Sequence, residues 1–122
     1  MTDYKLIDSS VWIGYIVNGN HIDVMESGEK MLLASVSLIE ISKKLARLGV
    51  SAEEIKKKIE HIKMQSTLIP LDESVADKAS ELVIVKKMPM ADSVVYASAI
   101  LNDATLLTLD NDFRGLEGVQ IL

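Results

Sequence analysis

At 122 residues the chain has the length of one domain, and with 48% apolar residues it can bury a core without staples. It contains no cysteine, which excludes disulfides, thiolate zinc sites and a cysteine nucleophile and fits a reducing, cytoplasmic setting. Its net charge of −5, taken alone, argues against gripping nucleic acid by charge, and no apolar stretch approaches the roughly 18 residues expected of a membrane span.

The start, Met1-Thr2-Asp3-Tyr4-Lys5, is charged and leads into a short apolar run unlike a signal peptide. Tyr4-Lys5-Leu6-Ile7 reads as a first strand, stopped by Asp8-Ser9-Ser10. Ser9 or Ser10 then opens a helix running toward Asn18-Gly19-Asn20. A second short helical stretch is expected from His21 to Ser27, closed by Gly28. Lys30 to Ala34 reads as a buried strand. Ser37 to Leu48 reads as a helix with Leu38, Ile41, Leu45 and Leu48 at helical spacing and Gly49 at its end. Ser51-Ala52-Glu53-Glu54 is a capping box, and Ile55, Ile59 and Ile62 form a stripe along the helix it opens. Thr67 to Leu71 is a third strand whose Pro70 favours an edge or an end. Asp72 or Glu73 starts a helix broken by Met88-Pro89, and another helix runs from Met90 to Ile100. Ala104 to Leu109 and Gly118 to Leu122 are the fourth and fifth strands.

Apolar strands alternating with helices predict a three-layer α/β/α fold around a central, mostly parallel five-stranded sheet. In such sheets the working site lies beyond the carboxyl ends of the strands. Asp8 directly follows the first strand, and Glu40 is read in the first turn of the helix after the second. Asp92 lies just past the Met88-Pro89 break, and Asp110 and Asp112 follow the fourth strand.

Each acid has a local explanation as well. Asp8 could be an N-cap, Glu40 the partner of Ser37 in a capping box, and Asp92 a response to the helix dipole. Asp110-Asn111-Asp112 could be a turn. These explanations account for acids near element ends, but not for so many at one end of the sheet. Close carboxylates must protonate or bind a cation. An oxygen-only donor set selects Mg2+ or Mn2+, and neither His21 nor His61 has metal-ligand spacing with these acids. Such a site suits phosphodiester hydrolysis, and the metal screens the acids from the phosphate.

Four segments resemble the motifs of the PIN-domain ribonucleases, in order and over nearly the whole chain. Leu6-Ile7-Asp8-Ser9-Ser10 is similar to the first motif, and Ser35-Val36-Ser37-Leu38-Ile39-Glu40-Ile41 to the second. Ala91 through Ala99, beginning Ala91-Asp92-Ser93, is similar to the third, and Leu107-Thr108-Leu109-Asp110-Asn111-Asp112-Phe113 to the fourth. The resemblance implies a PIN-like fold and a metal-dependent endoribonuclease with Asp8, Glu40, Asp92 and Asp110 as catalytic, metal-binding acids and Asp112 in support. It implies that Ser9, Ser10 and Thr108 orient acids or substrate. The compact form resembles the toxin half of a VapBC-type toxin–antitoxin pair, implying a homodimer, an RNA substrate and a cognate antitoxin. Tyr96 departs from the pattern, standing where the family more often has a small residue.

Lys43, Lys44 and Arg47, with Lys86 and Lys87, could meet RNA phosphates or simply face solvent. Trp12, Tyr15 and Ile16 could stack on bases, form a partner surface or belong to the core, and the Ile55 stripe could be a partner groove or core. Two other functions compete. One is an RNA-processing or ribosome-maturation nuclease of the same fold. The other is a receiver-type phosphoacceptor domain, which expects paired acids after the first strand, a phosphoacceptor aspartate after the third and a lysine after the fifth. Here one acid follows the first strand, and the third ends in Pro70-Leu71-Asp72.

Overall fold

A computed structural model describes residues 4–122, so the reading of Met1-Thr2-Asp3 lies outside the described residues. The elements in chain order are β1 (Lys5–Ile7), α1 (Ser9–Asn18), α2 (Ile22–Met25), β2 (Met31–Ala34), α3 (Ser35–Arg47) and α4 (Ala52–Gln65). They continue with β3 (Thr67–Ile69), α5 (Glu73–Lys86), α6 (Met90–Leu101), β4 (Thr105–Thr108), a 3-10 turn (Asn111–Phe113) and β5 (Val119–Ile121).

The five strands form one sheet in the order β3-β2-β1-β4-β5, and every neighbouring pair is parallel. Alternate residues of each inner strand supply opposite faces, because side chains in a strand alternate sides. Leu6, Leu32, Ala34 and Leu106 pack with Val75, Ala79 and Leu82 of α5 and with Val94, Val95 and Ala97 of α6. Ile7, Met31, Leu33 and Leu107 pack with Val11 and Trp12 of α1, Ile41 and Leu45 of α3 and Ile62 of α4. The sheet is therefore the middle of three layers, and burial on both faces is why its inner strands are continuously apolar. Pro70 follows β3, which is an edge strand, as its missing N–H requires. Among the described residues no helix is long and apolar enough to cross a membrane.

Two helix starts form as the residues predict. The Ser51 hydroxyl accepts the Glu54 N–H at 3.2 Å, and the Asp72 carboxylate accepts the Val75 N–H at 3.0 Å. A third differs. β2 runs straight into α3, which begins at Ser35 with Ala34 as its N-cap residue, not at Ser37. Ser37 is fully buried inside the helix, its hydroxyl without a partner, and Glu40 lies in the second turn rather than the first. The capping-box explanation of Glu40 is thus removed by geometry. The stretch from His21 to Ser27 also contracts, to the single turn of α2, entered through His21 at φ 61°.

Trp12 is 1% exposed and belongs to the core, as do Ile62 and, in part, Ile55 and Ile59; the core readings of both stripes hold. Tyr96 likewise belongs to the core. Its hydroxyl donates to the Glu117 carbonyl at 2.7 Å, joining α6 to the segment that leads into β5. Tyr96→Phe keeps the ring and removes this bond, so it should lower stability by about 1 kcal/mol. A urea midpoint unchanged from the parent would show that this bond contributes nothing.

Candidate active site

The parallel pairing decides where the acids go. β1 and β4 are neighbours in register, Ile7 opposite Leu107, so Asp8 leaves the sheet beside Thr108. The Asp8 N–H donates to the Leu107 carbonyl at 3.0 Å, extending the ladder by one bond and fixing the Asp8 backbone. Although Asp8 is the N-cap residue of α1, its side chain makes no capping bond. Its Oδ2 instead accepts the hydroxyls of Ser10 at 2.8 Å and Thr108 at 2.7 Å. Asp8 is 6% exposed.

Beyond β4 the chain makes the 3-10 turn. The Asp110 carboxylate accepts the Asp112 N–H at 2.9 Å, so the turn reading of this segment is also correct. Phe113, 1% exposed, pins the turn into the core on the α5–α6 side of the sheet. The turn therefore has a fixed position rather than that of a free loop. Asp92 comes from the first turn of α6. One carboxylate oxygen from each of Asp92, Asp110 and Asp112 lies within 4.8 Å of the others.

Glu40 and Asp8 join this group electrostatically. Burial, more than any other cause, raises the Glu40 pKa above its usual value. Asp8, Asp92 and Asp110 add repulsion in that order, and a Ser9 hydrogen bond pulls the other way. Burial followed by the charges of Asp110, Asp8 and Asp112 pushes Asp92 up to about 6. The structure thus brings together Asp8, Glu40, Asp92, Asp110 and Asp112, with Ser9, Ser10 and Thr108 among them. Lys43 is exposed on α3 one turn past Glu40, beside exposed Lys44 and Arg47. Arg114, which the sequence reading passed over, follows the acidic turn and donates two guanidinium bonds to the Asn111 side-chain oxygen Oδ1, at 3.2 and 2.6 Å.

The donor set is all carboxylate oxygen, which suits a hard divalent cation such as Mg2+ or Mn2+ and offers no sulfur or imidazole for a softer one. The raised acids set a testable sign. A carboxyl with a higher pKa folded than unfolded holds its proton more tightly in the folded state. Without divalent cations, stability should therefore fall as pH rises from about 4 through about 6, the interval between the ordinary and folded values for Asp92. Divalent cation should restore it, by about 2.7 kcal/mol at a hundredfold excess over Kd, at pH 7 but much less at pH 4. Thermal melts with chelator and with Mg2+ at both pH values check this. Melting temperatures indifferent to Mg2+ at pH 7 would contradict it.

Known proteins share the fold that carries this site. The family model of the PIN domain matches residues 5–119. Among solved structures, a toxin–antitoxin complex from Klebsiella pneumoniae superposes with a TM-score of 0.79 at 17% identity, covering 95% of each chain. VapBC-1 from nontypeable Haemophilus influenzae gives 0.75 at 15% identity, over 98% of this chain and 96% of that one. VapC20 from Mycobacterium tuberculosis, described as a toxin cleaving the sarcin–ricin loop, gives 0.74 at 13% identity, over 93% and 95%. No curated protein sequence matches significantly. At these identities the superpositions establish the fold, while the match across residues 5–119 establishes the family: the chain belongs to the PIN-domain family.

Proposed function

We propose that this chain is a divalent-metal-dependent endoribonuclease, a single PIN domain over residues 1–122, and the toxin of a VapBC-type toxin–antitoxin pair acting in the cytoplasm. The observation that carries the reading is the convergence of Asp92, Asp110 and Asp112 within 4.8 Å, with Asp8 close enough to raise Asp92, and Glu40 raised in turn by Asp8, Asp92 and Asp110. Asp8, Glu40, Asp92 and Asp110 would hold Mg2+ or Mn2+, with Asp112 in support. When bound, such a cation lowers the pKa of a coordinated water and neutralises charge on the phosphoryl group.

The chain's own contribution is placement. Ser10 and Thr108 hold Asp8, Ser9 hydrogen-bonds Glu40, and the Phe113 anchor sets Asp110 and Asp112. Lys43, exposed with Lys44 and Arg47 on α3, is available to RNA phosphates. RNA as substrate and an antitoxin as partner come by analogy with the toxin–antitoxin structures of the same fold. A homodimer is supported by the apolar outer side of α5 and the start of α6, where Ile84, Val85 and Met90 are 69%, 69% and 79% exposed. An RNA-maturation nuclease would use the same acids; a toxin differs in arresting growth when expressed without its antitoxin. The receiver alternative is excluded by the family and by Asp72, whose carboxylate is occupied in capping α5 beyond an edge strand.

Purified protein should cleave total cellular RNA with Mg2+ or Mn2+, stop with chelator, and yield defined ends on mapping. Asp8→Asn and Asp92→Asn should each lower cleavage by at least about a hundredfold while retaining the parent circular dichroism. Full activity in either variant removes that residue from the site. Light scattering at micromolar concentration should give the dimer mass, and a monomer mass alone would refute the homodimer.

A further inference from the structure

The cations of this chain are held in different ways. Lys5, Lys57, Lys63 and Lys78 each pair with a glutamate, and Lys30 lies over the Tyr4 ring at 4.8 Å. Lys43, Lys44 and Arg47 on α3 have no orienting bond among the described residues. Arg114 differs from both groups, because it is oriented by a neutral partner. Its Nε and Nη2 both donate to Asn111 Oδ1, at 3.2 and 2.6 Å. Among the described residues no carboxylate pairs with it, although Asp110 and Asp112 stand on either side of Asn111 in the chain.

A guanidinium carries its N–H donors in a rigid planar fork. The Nε–Nη2 edge of Arg114 is turned to Asn111. Nη1 and the second proton of Nη2 form another edge, which has no acceptor among the described residues. Such an edge meets two oxygens of one phosphate side by side. The backbone below is fixed as well. Arg114 N–H donates to the Asn111 carbonyl at 3.0 Å, and the neighbouring Phe113 is 1% exposed. Arg114 is thus exposed, pre-oriented and still fully charged. A side chain held in this way loses less freedom on binding than an unrestrained lysine. Its place decides which phosphate it suits. The acids that raise Asp92 and Glu40 are opposed by no cation, so Arg114 stands outside the carboxylate cluster.

We propose that Arg114 binds RNA, gripping through its free edge a phosphate that flanks the one cut, and that Asn111 is its positioning residue. The RNA enters through the endoribonuclease reading above, on which this inference rests.

The test uses steady-state cleavage, in Mn2+, of a single-stranded oligoribonucleotide spanning the parent's mapped cleavage site, at several KCl concentrations. Arg114→Ala should raise KM about tenfold and leave kcat within about twofold, as loss of uniform binding requires. Each phosphate contact contributes about 0.7 to the slope of log affinity against log salt for a single strand, so the slope should fall by about that amount. Arg114→Lys keeps the charge and loses the fork, so its slope should match the parent's while KM rises about threefold. Asn111→Ala frees the guanidinium and should also raise KM about threefold. Mn2+ affinity in Arg114→Ala, read by calorimetry without RNA, should equal the parent's. A loss of Mn2+ affinity there would show that Arg114 only holds the turn, and overturns the proposal. Parent KM and parent slope in Arg114→Ala overturn it too. If that variant does not fold, Arg114→Lys decides, and an unchanged KM overturns the proposal. A parent that cleaves no RNA overturns the proposed function as well, whereas a parent that cleaves and variants that match it overturn this inference alone.

Discussion

Carboxylate oxygens of Asp92, Asp110 and Asp112 lie within 4.8 Å of one another, and Asp8 and Glu40 add their charges to the same region. At an effective dielectric near 20, two full charges at that spacing repel by roughly 3–4 kcal/mol. This is a large fraction of the roughly 5–15 kcal/mol that holds a typical domain together. The arrangement survives because some of the acids hold protons more tightly than usual, and because the surrounding fold leaves them little room to separate. Holding like charges in place is the constraint that the carboxyl edge of this sheet is built around.

Each part of the scaffold answers it. The parallel pairing of β1 with β4 sets Asp8 beside Thr108, and a backbone bond to Leu107 fixes its position. Phe113, buried among residues of α5 and α6, anchors the turn that carries Asp110 and Asp112. The direct junction of β2 and α3 carries Glu40 a full turn into its helix, where burial dominates its titration. Tyr96 ties α6, which carries Asp92, to the segment before β5. Apolar packing on both faces of the sheet supplies the free energy to keep a strained polar edge. The negative net charge acquires a local meaning from this arrangement: part of it is a binding site for cations rather than a barrier to a polyanion.

Much of this was legible in the residues, for a physical reason. Strands buried on both faces are apolar throughout, so Leu6-Ile7, Leu32-Leu33 and Leu106-Leu107 announced a parallel sheet. The rule that sites lie beyond strand ends then pointed to Asp8 and Asp110. Capping signals placed the starts of α4 and α5 correctly because Ser51 and Asp72 bond their own neighbours. What was not legible depended on partners distant in the chain. Ser35 and Ser37 are both good cap residues, and only the absence of a loop after β2 puts the boundary at Ala34. Thr108 meets Asp8 and Ser10 across about a hundred residues of sequence, through strand order that no local pattern specifies. The role of Tyr96 likewise needed Glu117 opposite it.

The site joins a family fold to a specific electrostatic state, and that state can be read directly. Near pH 6 Asp92 is about half protonated without a cation, and a bound cation must displace that proton. Calorimetric Mn2+ titration at pH 6 in buffers of different ionisation enthalpy counts the protons released. Release of about half a proton or more per ion, reduced in Asp92→Asn, is the result expected of raised carboxyls acting as ligands. Mn2+ binding with no proton release, or no binding at all, would contradict the account.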